Sequence, residues 1–126
     1  MIIVMRFVTA AVGLALLAAG LGFLITPQTR AEGFFILPVG SQGLATIRAD
    51  IAGFFIAMGT FSLLGAWQKN VLWLRATFFM VALALFGRMI SLLLDGRGPE
   101  ALQPMIAEAV ICILLLLASR SFTKSN

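Results

Sequence analysis

The sequence predicts an all-α fold, an integral membrane bundle of four transmembrane helices with a long first loop. Three observations predict this class. Hydrophobic residues make up 61% of the 126 residues and charged residues only 11%, whereas a soluble domain carries about 25% charged residues. The mean hydropathy is +1.07. Four apolar segments also approach the length of about 20 residues that a spanning helix needs. A chain of this length forms one domain at most, so residues 1–126 are expected to be a single transmembrane domain.

The predicted spans differ in where they carry charge. They cover residues 7–25, 48–67, 71–94 and 102–119. The first is uncharged, and the second opens with Arg48 and Asp50. The third carries Arg88 inside its apolar run, and the fourth carries Glu108. Pro104 falls in the first turn of the fourth helix, where its missing N–H costs little.

The first span has an alternative interpretation as a signal peptide, because Arg6 is followed by a long apolar stretch. Its uncharged run of 19 residues, 7–25, exceeds the usual length of such a segment. Its removal would also leave an odd number of spans. We therefore expect the span to be retained, and an intact N-terminus in the mature protein would exclude the alternative.

The connections between the spans differ in length. "QKN" at 68–70 and "DGRGPE" at 95–100 are short, so the helices that they join are expected to be antiparallel neighbours. The first connection is long and contains "GFFILPVG" at 33–40, which is apolar but too short to span. This segment is expected to lie at the membrane interface or to dip into it.

Charge is distributed unequally between the two sides of the predicted bundle. The side with both termini holds five basic residues and no acid: Arg6, Lys69, Arg75, Arg120 and Lys124. The other side holds four arginines and all five acids of the chain. Because Lys and Arg concentrate on the cytoplasmic side, we expect both termini in the cytoplasm, with the protein in a bacterial inner membrane. The scattered basic residues give no indication of nucleic-acid binding.

The outer third of the predicted bundle, at the end opposite the two termini, is predicted to hold a layer of polar side chains at similar depth: Arg48, Asp50, Arg88, Ser91, Asp95 and Glu108. A charge at the centre of a spanning helix costs about 2.5–3.5 kcal/mol on insertion scales. Arg88 is therefore expected to pair with Glu108 and Asp50, with Asp95 two helical turns above it. This layer either fixes helix register or lines a ligand pocket covered by "GFFILPVG", and both interpretations stay open.

The composition offers little for catalysis. The chain has no His, no Tyr and one cysteine, Cys112, which lies in an apolar run and is expected to pack as a hydrophobic side chain. We predict no catalytic residue, no metal site and no cofactor. The pairs Ala15–Ala19, Ala18–Gly22 and Gly53–Ala57 are predicted to be helix contacts, because small residues let helix backbones approach closely. The phenylalanines of "GFF" at 33–35 and 53–55 are expected to face lipid or the core.

Two motifs carry a family resemblance. "RADIAGFFIAMG" at 48–59 and "GRMISLLLDG" at 87–96, followed by a span with Glu108, resemble the DUF4345 family of small bacterial four-helix membrane proteins. The resemblance extends from about residue 7 to residue 119 and implies the fold and the choice of polar residues, but no activity. More loosely, the layout is similar to DoxX-like four-helix proteins, some of which accompany membrane oxidoreductases.

Three classes of function remain open at this point. We favour a non-catalytic accessory or structural subunit, with the lipid bilayer and either other membrane subunits or further copies of the chain as partners. The alternative is a binder or carrier of a small amphiphile, zwitterion or ion through the charged pocket. An enzyme is disfavoured, because no nucleophile or metal site accompanies the carboxylates.

Overall fold

The computed structural model describes residues 1–124, and this part of the chain is helical throughout apart from short turns and one extended stretch. No strand occurs within residues 1–124, so the all-α prediction is confirmed. The helices are α1 (Ile2–Ile25), α2 (Pro27–Gly33), α3 (Gly40–Thr46), α4 (Ala52–Gln68), α5 (Val71–Asp95) and α6 (Leu102–Lys124), and a π-helical turn (Ile47–Ile51) joins α3 to α4.

Four helical segments within the described residues are long and apolar enough to cross a membrane: Ile2–Ile25, Gly40–Gln68, Val71–Asp95 and Leu102–Lys124. Their number agrees with the sequence prediction, but all four extend further than predicted, the third only as far as Asp95. The first begins at Ile2 because Arg6 does not interrupt it: the Arg6 guanidinium reaches the end of α4, where Nε donates to Ala66 O at 2.9 Å. The second begins at Gly40 because α3, the π-helical turn and α4 form one continuous rod of 29 residues.

We call the two ends of the bundle the terminal end and the loop end. The terminal end contains the start of α1, the turn between α4 and α5, and the end of α6. The loop end contains α2, α3 and the turn between α5 and α6. At the terminal end Lys69 adopts a left-handed conformation with φ of 52°, and the Asn70 side chain accepts a hydrogen bond from Leu72 N at 2.9 Å. These two residues stop α4 and start α5 within a very short turn.

Helices α1 and α4 form the closest helix pair, and glycines make their approach possible. A Cβ added to Gly59 would lie 2.6 Å from Leu17 N and 2.7 Å from Gly13 O. A Cβ added to Gly20 would lie 2.8 Å from Ile56 N. Because these neighbours are backbone atoms, no side-chain movement can relieve the overlap, and backbone packs directly on backbone along this seam.

The small-residue pairs predicted from the sequence do not form this seam. Ala15 and Ala18 are exposed on α1, and Gly53 has no atom within 4 Å of an added Cβ. The reason is that α1 and α4 are apolar on every face, so hydrophobic periodicity gives no direction to the packing. Spacing alone then cannot distinguish the small residues of the contact from those that face outward.

Helices α5 and α6 pack tightly only near the terminal end. Their buried residues there include Leu74, Leu115 and Phe122, which form one cluster completed by Ile2 and Met5 of α1. Beyond Val81, α5 has no buried residue, and the buried residues of α6 all lie from Leu115 onward. The loop-end halves of α5 and α6 are therefore less closely packed, and space remains between them and the α1–α4 pair.

Candidate binding cavity

The space between the α1–α4 pair and the loop-end halves of α5 and α6 is a cavity of about 700 Å³. Its floor is formed by a cluster that contains Leu16 of α1, Met58 of α4 and Val81 of α5. Phe54 and Ile111 add apolar wall above this cluster. A volume of this size lies within the range of about 300–1,000 Å³ that is typical of small-molecule sites, which are also mostly apolar with few polar groups.

Arg88 and Glu108 form an ion pair in the cavity wall. Arg88 Nε of α5 donates to Glu108 Oε1 of α6 at 2.8 Å, a distance typical of a charge-assisted hydrogen bond. The Arg88 side chain is 39% exposed, and the Glu108 side chain is 17% exposed. The carboxylate is thus the more deeply placed partner, and the arginine extends toward the open part of the site.

The ion pair leaves hydrogen-bonding capacity unused on both sides. Glu108 Oε2 is buried and has no hydrogen-bond partner within residues 1–124. Arg88 makes its one hydrogen bond in this part of the chain through Nε, so its two terminal nitrogens have no protein acceptor there. A buried carboxylate oxygen without a donor is costly. The wall therefore presents one unused acceptor beside several unused donors.

The aromatic segment after α2 covers one side of the cavity. Phe34 packs between Phe23 of α1 and Phe55 of α4, with ring centroids 5.0 Å and 6.2 Å away. Phe35 follows in a left-handed conformation with φ of 60° and remains 80% exposed, although it lines the cavity. Of the segment "GFFILPVG", Gly33, Phe34 and Phe35 line the cavity. The placement of this segment at a membrane interface stays a prediction.

The turn between α5 and α6, together with the first turn of α6, forms the other side of the mouth. Glu100 and Gln103 are its polar lining residues, and Pro99 and Pro104 flank them. Both polar side chains belong to exposed residues. The cavity is therefore apolar at its floor, charged in its wall and polar at its mouth.

The other residues of the predicted polar layer lie outside the cavity. Arg48 is exposed and its Nε donates to Leu24 O at 3.0 Å, where it caps the end of α1. Ser91 Oγ donates to Asp95 Oδ2 at 2.9 Å on the exposed surface of α5.

Asp50 lies in the π-helical turn, is exposed, and forms neither a hydrogen bond nor an ion pair within residues 1–124. The expected pairing of Arg88 with Asp50 is therefore not formed, whereas the pairing with Glu108 is. Depth along a helix can be counted from the sequence, but the direction in which a side chain points around the helix axis depends on packing. Arg48 and Asp50 point in directions around the helix axis that keep them away from Arg88.

Sequence reasoning did not assign Phe54, Phe55, Glu100 or Gln103 to a site. The repeated "GFF" at 33–35 and 53–55 was the available signal, because both copies contribute cavity-lining phenylalanines. No group of three or more His, Cys, Asp or Glu side chains in the described part of the chain is arranged to hold a metal ion.

These features define a class: a small membrane protein with four helices able to span a bilayer and a cavity that has an ion pair between α5 and α6 in its wall. The chain belongs to the family described as Domain of unknown function (DUF4345), whose sequence model matches residues 4–119. Arg88, Glu108 and the whole cavity lining lie within this range. Neither the curated proteins nor the solved structures contain a significant match. The looser likeness to DoxX-like proteins and the bacterial origin stay predictions.

Proposed function

We propose that this membrane protein binds a small amphiphile, with its apolar part in the cavity and its polar end at Arg88 and Glu108. One observation carries the proposal: an apolar cavity of about 700 Å³ has a single charged pair in its wall, and a buried oxygen of that pair lacks a partner. An amphiphile combines the apolar and polar groups that such a wall requires. We propose binding rather than catalysis, because the two ionisable groups of the wall are engaged with each other.

The alternative interpretation, in which the ion pair only fixes helix register, explains less of the geometry. A structural ion pair stabilises best when further hydrogen bonds satisfy its remaining atoms. Here the carboxylate retains a buried oxygen without a partner, and the helices beside it stay apart. Both features fit a site that a ligand completes.

Filling the cavity tests this proposal. Ala107 lines the cavity on α6, whereas Ala18 is exposed on α1 outside the lining. Native mass spectrometry would measure binding of myristoyl lysophospholipids to the purified chain in a maltoside detergent. We expect Ala107→Phe to weaken binding, because the ring takes up part of the cavity, and Ala18→Phe to bind like the wild type. The proposal is wrong if neither lysophospholipid nor myristate binds to the wild type, or if the two variants bind alike.

A second proposal is the accessory-subunit role, which outward-facing glycines support. Gly53 of α4 and Gly87 of α5 are exposed, and neither has an atom within 4 Å of an added Cβ. Such positions allow another helix to approach its backbone closely. We expect Gly53→Leu and Gly87→Leu to release a partner subunit or second copy that co-purifies in mild detergent, while Ala18→Leu retains it. A wild type that purifies as a lone monomer argues against this role.

We also propose that both termini lie in the cytoplasm of a bacterial inner membrane, which directs the cavity to the outer side. Five basic residues at the terminal end, against four at the loop end, support this orientation. A fluorescent protein fused to the C-terminus should then fold and emit light, whereas a periplasmic alkaline phosphatase fused there should be inactive. The reverse pattern would invert the orientation.

A further inference from the structure

We infer that the head group of the ligand is a primary-ammonium zwitterion on a single acyl chain. It combines N–H donors with an anionic oxygen, as in an ethanolamine phosphate ester. This inference rests on the proposed function and specifies its ligand class. It follows from the unused atoms of the ion pair and from the charges around the mouth.

The unused atoms require a head group that is both donor and acceptor. An ionised carboxylate only accepts hydrogen bonds, so Glu108 Oε2 requires an N–H or O–H of the ligand. A guanidinium only donates, so the terminal nitrogens of Arg88 require a ligand oxygen. A fatty acid carboxylate would accept hydrogen bonds from Arg88 and leave Glu108 Oε2 without a donor. An alkylammonium would donate to Glu108 Oε2 and leave the terminal nitrogens of Arg88 without an acceptor. A zwitterion serves both.

The charges that line the cavity favour an ammonium over a hydroxyl as the donor. The lining contains one cation, Arg88, and two anions, Glu100 and Glu108. The lining is therefore net negative by one charge, which disfavours a net anionic ligand. A phosphate ester that carries an ammonium is neutral overall, and its cationic end can lie between the two carboxylates.

The shape of the cavity favours one acyl chain. The floor at Leu16, Met58 and Val81 closes the site within about 10 Å of Arg88, as counted by the rise of α5 from Val81 to Arg88. A volume of about 700 Å³ suits one drug-sized ligand rather than a two-chain membrane lipid.

Competition between head groups tests the inference. Myristoyl lysophosphatidylethanolamine and its mono-, di- and trimethylated forms share chain and phosphate, and only the trimethylated form, a choline ester, has no N–H. Equimolar pairs would be added to the purified full chain, and bound species would be counted by native mass spectrometry. We expect about a tenfold preference for the ethanolamine over the choline form, with the largest step at the third methyl group.

Two variants assign this preference to the cavity. In Glu108→Gln the amide replaces an acceptor with a donor, so the preference should fall to near one and myristate should bind better than it does to the wild type. Asp95→Asn removes a carboxylate from the same end of the bundle but outside the cavity lining, and it should keep the tenfold preference.

The outcomes separate the two proposals. Binding without preference, a gradual loss with each methyl group, or a preference that survives Glu108→Gln would overturn the head-group assignment alone. Absence of binding by every lysophospholipid and by myristate would overturn the proposed function. If Glu108→Gln does not retain its helical content, the methylation series in the wild type still decides the assignment.

Discussion

The glycine seam between α1 and α4 allows a controlled test of the packing that supports the cavity. Gly59→Ala adds one methyl group where the Cβ would lie 2.6 Å from Leu17 N, whereas ordinary contact begins at 3.4 Å. The helices must therefore separate by about 0.8 Å, and overpacking of this kind typically costs about 1–3 kcal/mol. Gly53→Ala, in the same helix, adds the same methyl group where no atom lies within 4 Å. The replacement of a helical glycine by alanine gains up to about 1 kcal/mol.

The two variants should consequently differ by about 2 kcal/mol in the free energy of unfolding, which is roughly a thirtyfold difference in the unfolding equilibrium. Titration with SDS in mixed micelles, followed by circular dichroism, would measure this free energy for the wild type and both variants. We expect Gly59→Ala to unfold at a lower SDS fraction than the wild type and Gly53→Ala at an equal or higher one. Equal midpoints for the two variants would refute the close backbone contact.

Three further predictions concern the ends of helices. Arg6→Gln should lower the free energy of unfolding by about 1 kcal/mol in the same SDS titration, because the charged donor to Ala66 O is lost; an unchanged midpoint would contradict the contact. Asn70→Ala should also cost about 1 kcal/mol, because Leu72 N loses its cap, and a loss below about 0.3 kcal/mol would contradict it. Phe35→Asn should raise stability by about 0.5–1 kcal/mol, because asparagine tolerates the left-handed conformation at φ of 60°, and a lower SDS midpoint would count against strain there.

Length and hydropathy were sufficient to predict the number of spans, because a bilayer imposes a minimum length on each apolar helix. The helix ends were harder to predict. In the sequence, Arg6 is expected to precede the first spanning helix. In the fold its guanidinium lies at the end of α4, and α1 begins before Arg6 and continues beyond it. The π-helical turn at Ile47–Ile51 likewise joins α3, which lies in the predicted first loop, to α4. No residue pattern in "IRADI" predicts such a turn.

The site was predictable only in part for a related reason. Arg88 and Glu108 could be paired from the sequence because each charge lies within an apolar run, and their helices are joined by a short turn. Arg48 and Asp50 lie in the exposed π-helical turn, and Asp95 is the exposed last residue of α5. Arg48 donates to the Leu24 carbonyl oxygen and water can reach the two carboxylates, so similar depth did not bring these residues to Arg88. The cavity itself arises from unequal packing along α5 and α6, which composition does not encode.

The unequal packing of α5 and α6 gives the bundle the mechanics of a lever. Val81, the last buried residue of α5, is the fixed point, and Arg88 lies about 10 Å beyond it by the helical rise. With an arm of that length, a tilt of about 6° at Val81 displaces the ion pair by about 1 Å. A small tilt of α5 therefore changes the width of the mouth, while the close packing at the terminal end is left almost unchanged.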